Sequence, residues 1–112
     1  MIDISTYIHR SKMIKESYII IDNIDDAEDI AKRVCCGENL NIKFATYACK
    51  NRFMHEVSIQ RPDVIFVNCN SSKDKFFENV HYNTHIIFNN VEKCTDREIL
   101  EFIRNEKSTF IC

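Results

Sequence analysis

Three short runs, "SYIIIDN" (17–23), "DVIFVN" (63–68) and "THIIFNN" (84–90), constrain this chain of 112 residues more than anything else in it. Each is too short for a helix and lacks the polar alternation of a strand with one wet face. Each therefore reads as a strand buried on both faces, the kind found in parallel sheets covered by helices.

The intervening segments fit that reading. "DDAEDIAKRVCC" (25–36) sets Ala27, Ile30, Ala31 and Val34 on one helical face, with Asp25 as N-cap, Glu28 three residues on, and Gly37 as a stop. "KNRFMHEVSIQR" (50–61) carries Phe53, Met54 and Val57 at helical spacing before Pro62. "SSKDKFFENVHY" (71–82) begins a helix at Ser71 or Ser72 and buries Phe76, Phe77 and Val80. "TDREILEFIRNE" (95–106) pairs Thr95 with Glu98 as a capping box and turns Ile99, Leu100, Phe102 and Ile103 inward. "LNIKFATY" (40–47) alternates and reads as an edge strand, and "STFIC" (108–112) as the last strand. The order β-α-β-α-β-α-β-α-β predicts one three-layer α/β domain over residues 1–112, with a five-stranded parallel sheet. Residues 1–16 form an extension, for which a helix with Ile4, Ile8 and Ile14 inward is one reading.

Composition bounds the rest. Apolar residues make up 45% and charged residues 29%, with net charge −2, enough for one packed core and against disorder. One Gly and one Pro is a low count, so turns fall to Asn, Asp and Ser. Such usage accompanies AT-rich genomes, viral ones among them. Lys and Arg are scattered, and no nucleic-acid partner is expected. No membrane-length or signal-like run is present, so the expectation is a cytoplasmic protein, in the host cytoplasm if viral, with its six cysteines as free thiols. No cysteine or histidine spacing suits a metal, and no Gly-rich loop suits a phosphate; neither metal nor cofactor is expected.

Ligands and catalytic groups in parallel sheets gather at the carboxyl ends of strands. Those ends read Asp22-Asn23 with Asp25-Asp26, Thr46-Tyr47, Asn68-Cys69-Asn70 and Asn89-Asn90. The layout "YIIIDNIDDAEDIAKRV … RPDVIFVNCNSS … THIIFNN" over residues 18–112 resembles a response-regulator receiver domain, of the CheY-like, flavodoxin-type fold. The resemblance implies strand order 2-1-3-4-5, here with no helix after the last strand. Residues 18–22, 41–46, 63–68, 84–89 and 108–111 are the strands expected to form that one parallel sheet. In that family an acidic pair, a phosphoacceptor Asp with Mg²⁺, a Thr or Ser, and a Lys occupy the strand ends. Here Asp22 falls on one acid of the pair and Asn23 on the other. Asn68 stands at the phosphoacceptor position, Asn89 at the hydroxyl position, and no Lys follows the fifth strand.

An amide cannot replace an ionised carboxylate as nucleophile or Mg²⁺ ligand. The resemblance thus implies a pseudo-receiver with a vestigial site at Asp22, Asn23, Asn68 and Asn89. The function expected is a non-catalytic module that binds a protein partner, a second copy of the chain included, with no catalytic residues. Arg97, Glu101 and Arg104 on the last helix are assigned to that contact. Two alternatives stand beside it: a switch still phosphorylated at Asp22, Asp25 or Asp26, and a viral or phage effector that inhibits a host protein. For the Asp22, Asp25 and Asp26 group the plainer reading is helix capping and complementation of the helix dipole.

Overall fold

A computed structural model describes residues 18–112, and the expected N-terminal helix lies outside them. The strands are β1 (Ile19–Ile21), β2 (Asn41–Phe44), β3 (Ile65–Asn68), β4 (Ile86–Asn89) and β5 (Thr109–Ile111). The helices are α1 (Ile24–Cys35), α2 (Tyr47–Gln60), α3 (Lys73–Tyr82) and α4 (Arg97–Arg104), with a 3-10 turn at Val91–Lys93. Every strand pair is parallel, so the α/β class and the parallel five-stranded sheet are as the alternation predicts.

The strand order is not the expected one. It runs β1-β2-β5-β4-β3, not 2-1-3-4-5. The receiver arrangement needs the chain to reverse direction across the sheet immediately after its second strand. Here the chain steps outward from β1 to β2 to β3 and reverses only after β3. Crossovers in parallel sheets are right-handed, so helices made while the chain moves outward lie on one face and those made on the return lie on the other.

The two cores show this division. Against α1 and α2 pack Ile21, Ile42, Ile87 and Ile111 from the sheet, with Ala27, Ile30, Phe53 and Val57 from the helices. Against α3 and α4 pack Val67, Phe88 and Phe110, with Phe76, Ile99, Leu100 and Ile103. Successive strand residues point to opposite faces, as Phe110 and Ile111 do.

The sheet edges differ from expectation as well, being β1 and β3. β1, read as a strand buried on both faces, is an edge whose Ile20 is 67% exposed. β2, read as an edge, lies between β1 and β5. Its alternation has another cause: Ile42 is buried under α1 and α2, while Lys43 points the other way and is exposed. Alternation reports that one face is wet, not that a neighbouring strand is missing.

Caps shift by one or two residues from the expected positions. Asn23, not Asp25, caps α1: its Oδ1 accepts the Asp26 N–H at 2.8 Å, and its Nδ2 donates to Asp26 Oδ2 at 2.8 Å. Asp96, not Thr95, caps α4, its Oδ1 accepting the N–H groups of Glu98 and Ile99 at 2.9 and 3.1 Å. Helix α2 starts at Tyr47, three residues before the expected start, because Thr46 Oγ1 accepts the Cys49 N–H at 3.2 Å. Of the two serines expected to start α3, Ser72 is the cap, accepting from the Lys75 N–H.

Candidate functional site

The sheet order decides which strand-end residues meet. Asn68 and Asn89 are register partners on β3 and β4. Asp22 and Asn23 follow β1 at the opposite edge of the sheet, with β2, β5 and β4 between them and Asn68. The four residues expected to form one vestigial site are therefore two separate pairs.

The Asp22 side is a helix start. Asn23 and Asp26 cap each other across the first turn of α1, and Asn23 Nδ2 also reaches Asp22 Oδ1 at 3.2 Å. With Asp25 and Asp26 the turn places negative charge where the helix dipole is positive. The plainer reading of this acidic group accounts for its contacts. Among the described residues no group of three or more His, Cys, Asp or Glu side chains is placed to hold a metal ion.

The Asn68 side is a network of amides. Asn68 Oδ1 accepts the Asn70 N–H at 2.9 Å and Asn90 Nδ2 at 3.1 Å. Asn90 Oδ1 in turn accepts Lys50 Nζ at 3.2 Å, and the Asn90 N–H donates to Asn89 Oδ1 at 2.9 Å. Ser71 Oγ closes the loop after β3 by donating to the Asn68 carbonyl at 2.7 Å. Asn90 itself has φ 57° and ψ 41°, the left-handed region, where Asn is tolerated better than most residues with a Cβ.

The Lys50–Asn90 bond spans the point where connections diverge to opposite faces. From β2 the chain enters α2 on one face; from β4 it leads to α4 on the other; the carboxyl end of β5 lies between. In open parallel sheets such a divergence opens a crevice that serves as the usual ligand site. Here Lys50 meets Asn90 at that place, with Glu92 and Cys112 near enough to act on the lysine's charge. Burial lowers the Lys50 ammonium below its ordinary value, partly offset by the nearby Glu92 carboxylate.

Three thiols near this end of the sheet, Cys69, Cys94 and Cys112, are raised above the ordinary cysteine value. Burial raises the Cys112 thiol, as does the neighbouring Glu92 carboxylate, which hydrogen-bonds it along with Tyr18. Burial also raises Cys69, and pushes Cys94 up to about 11. A thiol held protonated at neutral pH is a weak nucleophile. The arrangement can position loops and accept hydrogen bonds.

Arg97 and Glu101 are exposed on α4, and Arg104 pairs with Glu101 at 3.6 Å. These three lie on one side of the helix at spacings of four and three. Lys50, Glu92 and Cys112 were missed from sequence. Asn90 was visible as the residue after a strand-end Asn, but nothing local joins it to Lys50, forty positions away.

At the amino end of the sheet a cleft of about 310 Å³ is lined by Gly37, Arg61, His85 and Lys107 among others. Two of its basic groups, Arg61 and His85, both face the Asp63 carboxylate. Arg61 grips Asp63 through two hydrogen bonds of 3.1 and 2.9 Å, which hold that carboxyl at about 2.

The separation of Asp22 from Asn68 makes a prediction. Asn68→Asp keeps the acceptor oxygen used by Asn70 and Asn90 and places no second carboxylate from β1 beside it. The variant is expected to melt within about 2 °C of the wild type, equally with and without millimolar Mg²⁺. Scanning calorimetry checks this. A loss of many degrees that Mg²⁺ restores would put Asp22 beside position 68.

Comparison with protein-family models, curated proteins and solved structures finds no match for this chain.

Proposed function

We propose that the chain is a non-catalytic protein-interaction module that acts by binding a protein partner, with Arg97, Glu101 and Arg104 on α4 as contact residues. The observation that carries this reading is the state of the strand ends. Where a parallel sheet gathers its reactive groups, this one has Asn68, Asn89 and Asn90 bonded to one another and to Lys50. Amides engaged this way hold loops together, and the thiols beside them are kept protonated. The sheet lacks the receiver strand order.

Two measurements test it. The full chain is incubated with acetyl phosphate and Mg²⁺, and separately with beryllofluoride, then followed by intact mass and amide NMR. Neither mass nor spectrum is expected to change; a phosphoryl adduct would replace the module with a switch. A photo-crosslinker at position 101 should then trap a discrete protein from lysate, and Arg97→Glu should abolish the product. A crosslinked product that survives Arg97→Glu, or none at all, removes α4 as the contact.

A further inference from the structure

Strand β3 pairs with β4 alone, and its outer side has no neighbouring strand among the described residues. Which backbone groups line that side follows from the bonds on the inner one. The Ile65 N–H donates to the His85 carbonyl at 3.0 Å, and the Cys69 N–H to the Asn89 carbonyl at 2.9 Å. A trans peptide points its C=O and the following N–H in opposite directions, and no peptide here is cis. The N–H and carbonyl groups of Val64, Phe66 and Asn68 therefore face outward.

Two of these groups are already used within the chain. The Val64 N–H donates to the Arg61 carbonyl at 3.0 Å, and the Asn68 carbonyl accepts Ser71 Oγ at 2.7 Å. The Val64 carbonyl, the Phe66 N–H, the Phe66 carbonyl and the Asn68 N–H have no partner among the described residues. The strand itself reads "IFVN", in unbroken register with β4. It has no charge, Pro or bulge, the usual devices that keep an edge from pairing. Phe66 is half-buried, and it lines an open groove of about 650 Å³ with Met54, His55 and Ser58 of α2 among others.

We propose that two copies of this chain join through β3, antiparallel and two-fold symmetric about Phe66, so that their sheets become one. The open groups select this occupant. With Phe66 opposite itself, each Phe66 N–H meets the Phe66 carbonyl of the other copy, and each Asn68 N–H meets the other copy's Val64 carbonyl. Every open group is then bonded. The two groups already in use, the Val64 N–H and the Asn68 carbonyl, fall opposite one another and need nothing. A strand of unrelated sequence on the same edge would bring its own C=O and N–H against those two and leave them short.

The ends of the strand bound the pairing. Two residues out from Val64, Pro62 has no N–H to give; two residues out from Asn68, the Asn70 N–H is held by Asn68 Oδ1 at 2.9 Å. The shared ladder therefore stops at residues 64–68. Side chains agree with it. No charged residue of β3 is set against its own copy by the axis. On the groove side the two Phe66 rings come together, and on the other face Ile65 of each copy meets Val67 of the other. The surface is not that of α4, and the inference does not depend on the interaction reading.

Sedimentation velocity on the full chain, over a range of concentrations, is expected to show a reversible equilibrium of monomer and dimer. As the dimer fills, amide exchange should slow at Phe66 and Asn68 and stay unchanged at Val64. In a mixture of labelled and unlabelled chains, an NOE is expected between the α-protons of Ile65 and Val67 on different chains, which antiparallel pairing brings close. Phe66→Lys sets like charges against each other on the axis and should raise the dimer dissociation constant by more than about tenfold. Phe66→Glu should do the same, while a mixture of the two variants should dimerise again. A chain that stays monomeric at every concentration overturns the proposal. So does a dimer in which Phe66 and Asn68 exchange at monomer rates, or one that Phe66→Lys leaves intact. The exchange measurement uses the wild type alone and decides even where a variant does not fold.

Discussion

Phe88→Ala is expected to cost this protein about 3–5 kcal/mol, the largest loss among single truncations on the α3–α4 side. Phe88 stands on β4 and is 1% exposed. It stacks on Phe110 of the neighbouring β5 with ring centroids 5.2 Å apart and planes at 16°. Phe76 of α3 and Phe102 of α4 meet it at 6.0 and 6.5 Å. One ring therefore joins two strands and both helices of that face, and its loss leaves a void that rigid neighbours cannot refill. For a domain of this size the melt should fall by roughly 4 °C per kcal/mol, hence by more than 10 °C. Phe77→Ala, where the ring is only partly buried at the rim of the same cluster, should cost clearly less. Thermal or urea unfolding checks both. A fall below about 5 °C for Phe88→Ala would mean that β4 is not the centre of that core.

Asn90 carries the second large effect, and two substitutions separate its parts. The left-handed conformation at φ 57° costs a residue with a Cβ about 1–2 kcal/mol when no local polar group offsets it. The side chain also joins Lys50 to Asn68. Net hydrogen bonds contribute about 0.5–1.5 kcal/mol, somewhat more where a charged donor is involved. Asn90→Ala loses both contributions and is expected to cost about 2–4 kcal/mol. Asn90→Gly loses only the bonds, since glycine adopts positive φ freely, and should be more stable than the alanine variant by about 1 kcal/mol. That ordering is the reverse of the one found inside helices. Equal stability, or alanine ahead, would show that the turn after β4 does not hold position 90 in the left-handed region.

Both predictions rest on neighbours that sequence could not supply. The element list was legible because it depends on local rules. Runs such as "DVIFVN" bury both faces, and the spacing of Ile99, Leu100 and Ile103 marks one side of a helix that the structure indeed buries. A serine cap for α3 was legible to within one residue, Ser71 or Ser72, because the side chain bonds within three residues. Asp25 and Thr95 fit the sequence pattern of a cap because several acceptors stand close together, and only backbone geometry selects Asn23 and Asp96 among them.

The sequence by itself determined that this chain alternates strands and helices into a parallel sheet with helices on both faces. Burial pattern and helix periodicity are properties of residues a few positions apart, and they survive in any arrangement that covers the same faces. Only the tertiary structure decided the order β1-β2-β5-β4-β3. That order depends on where the chain reverses direction across the sheet, and both reversals satisfy right-handed crossovers with the same local pattern. The site followed from it. Lys50 meets Asn90 because β2 and β4 flank β5, and Asp22 is kept from Asn68 because β1 and β3 take opposite edges.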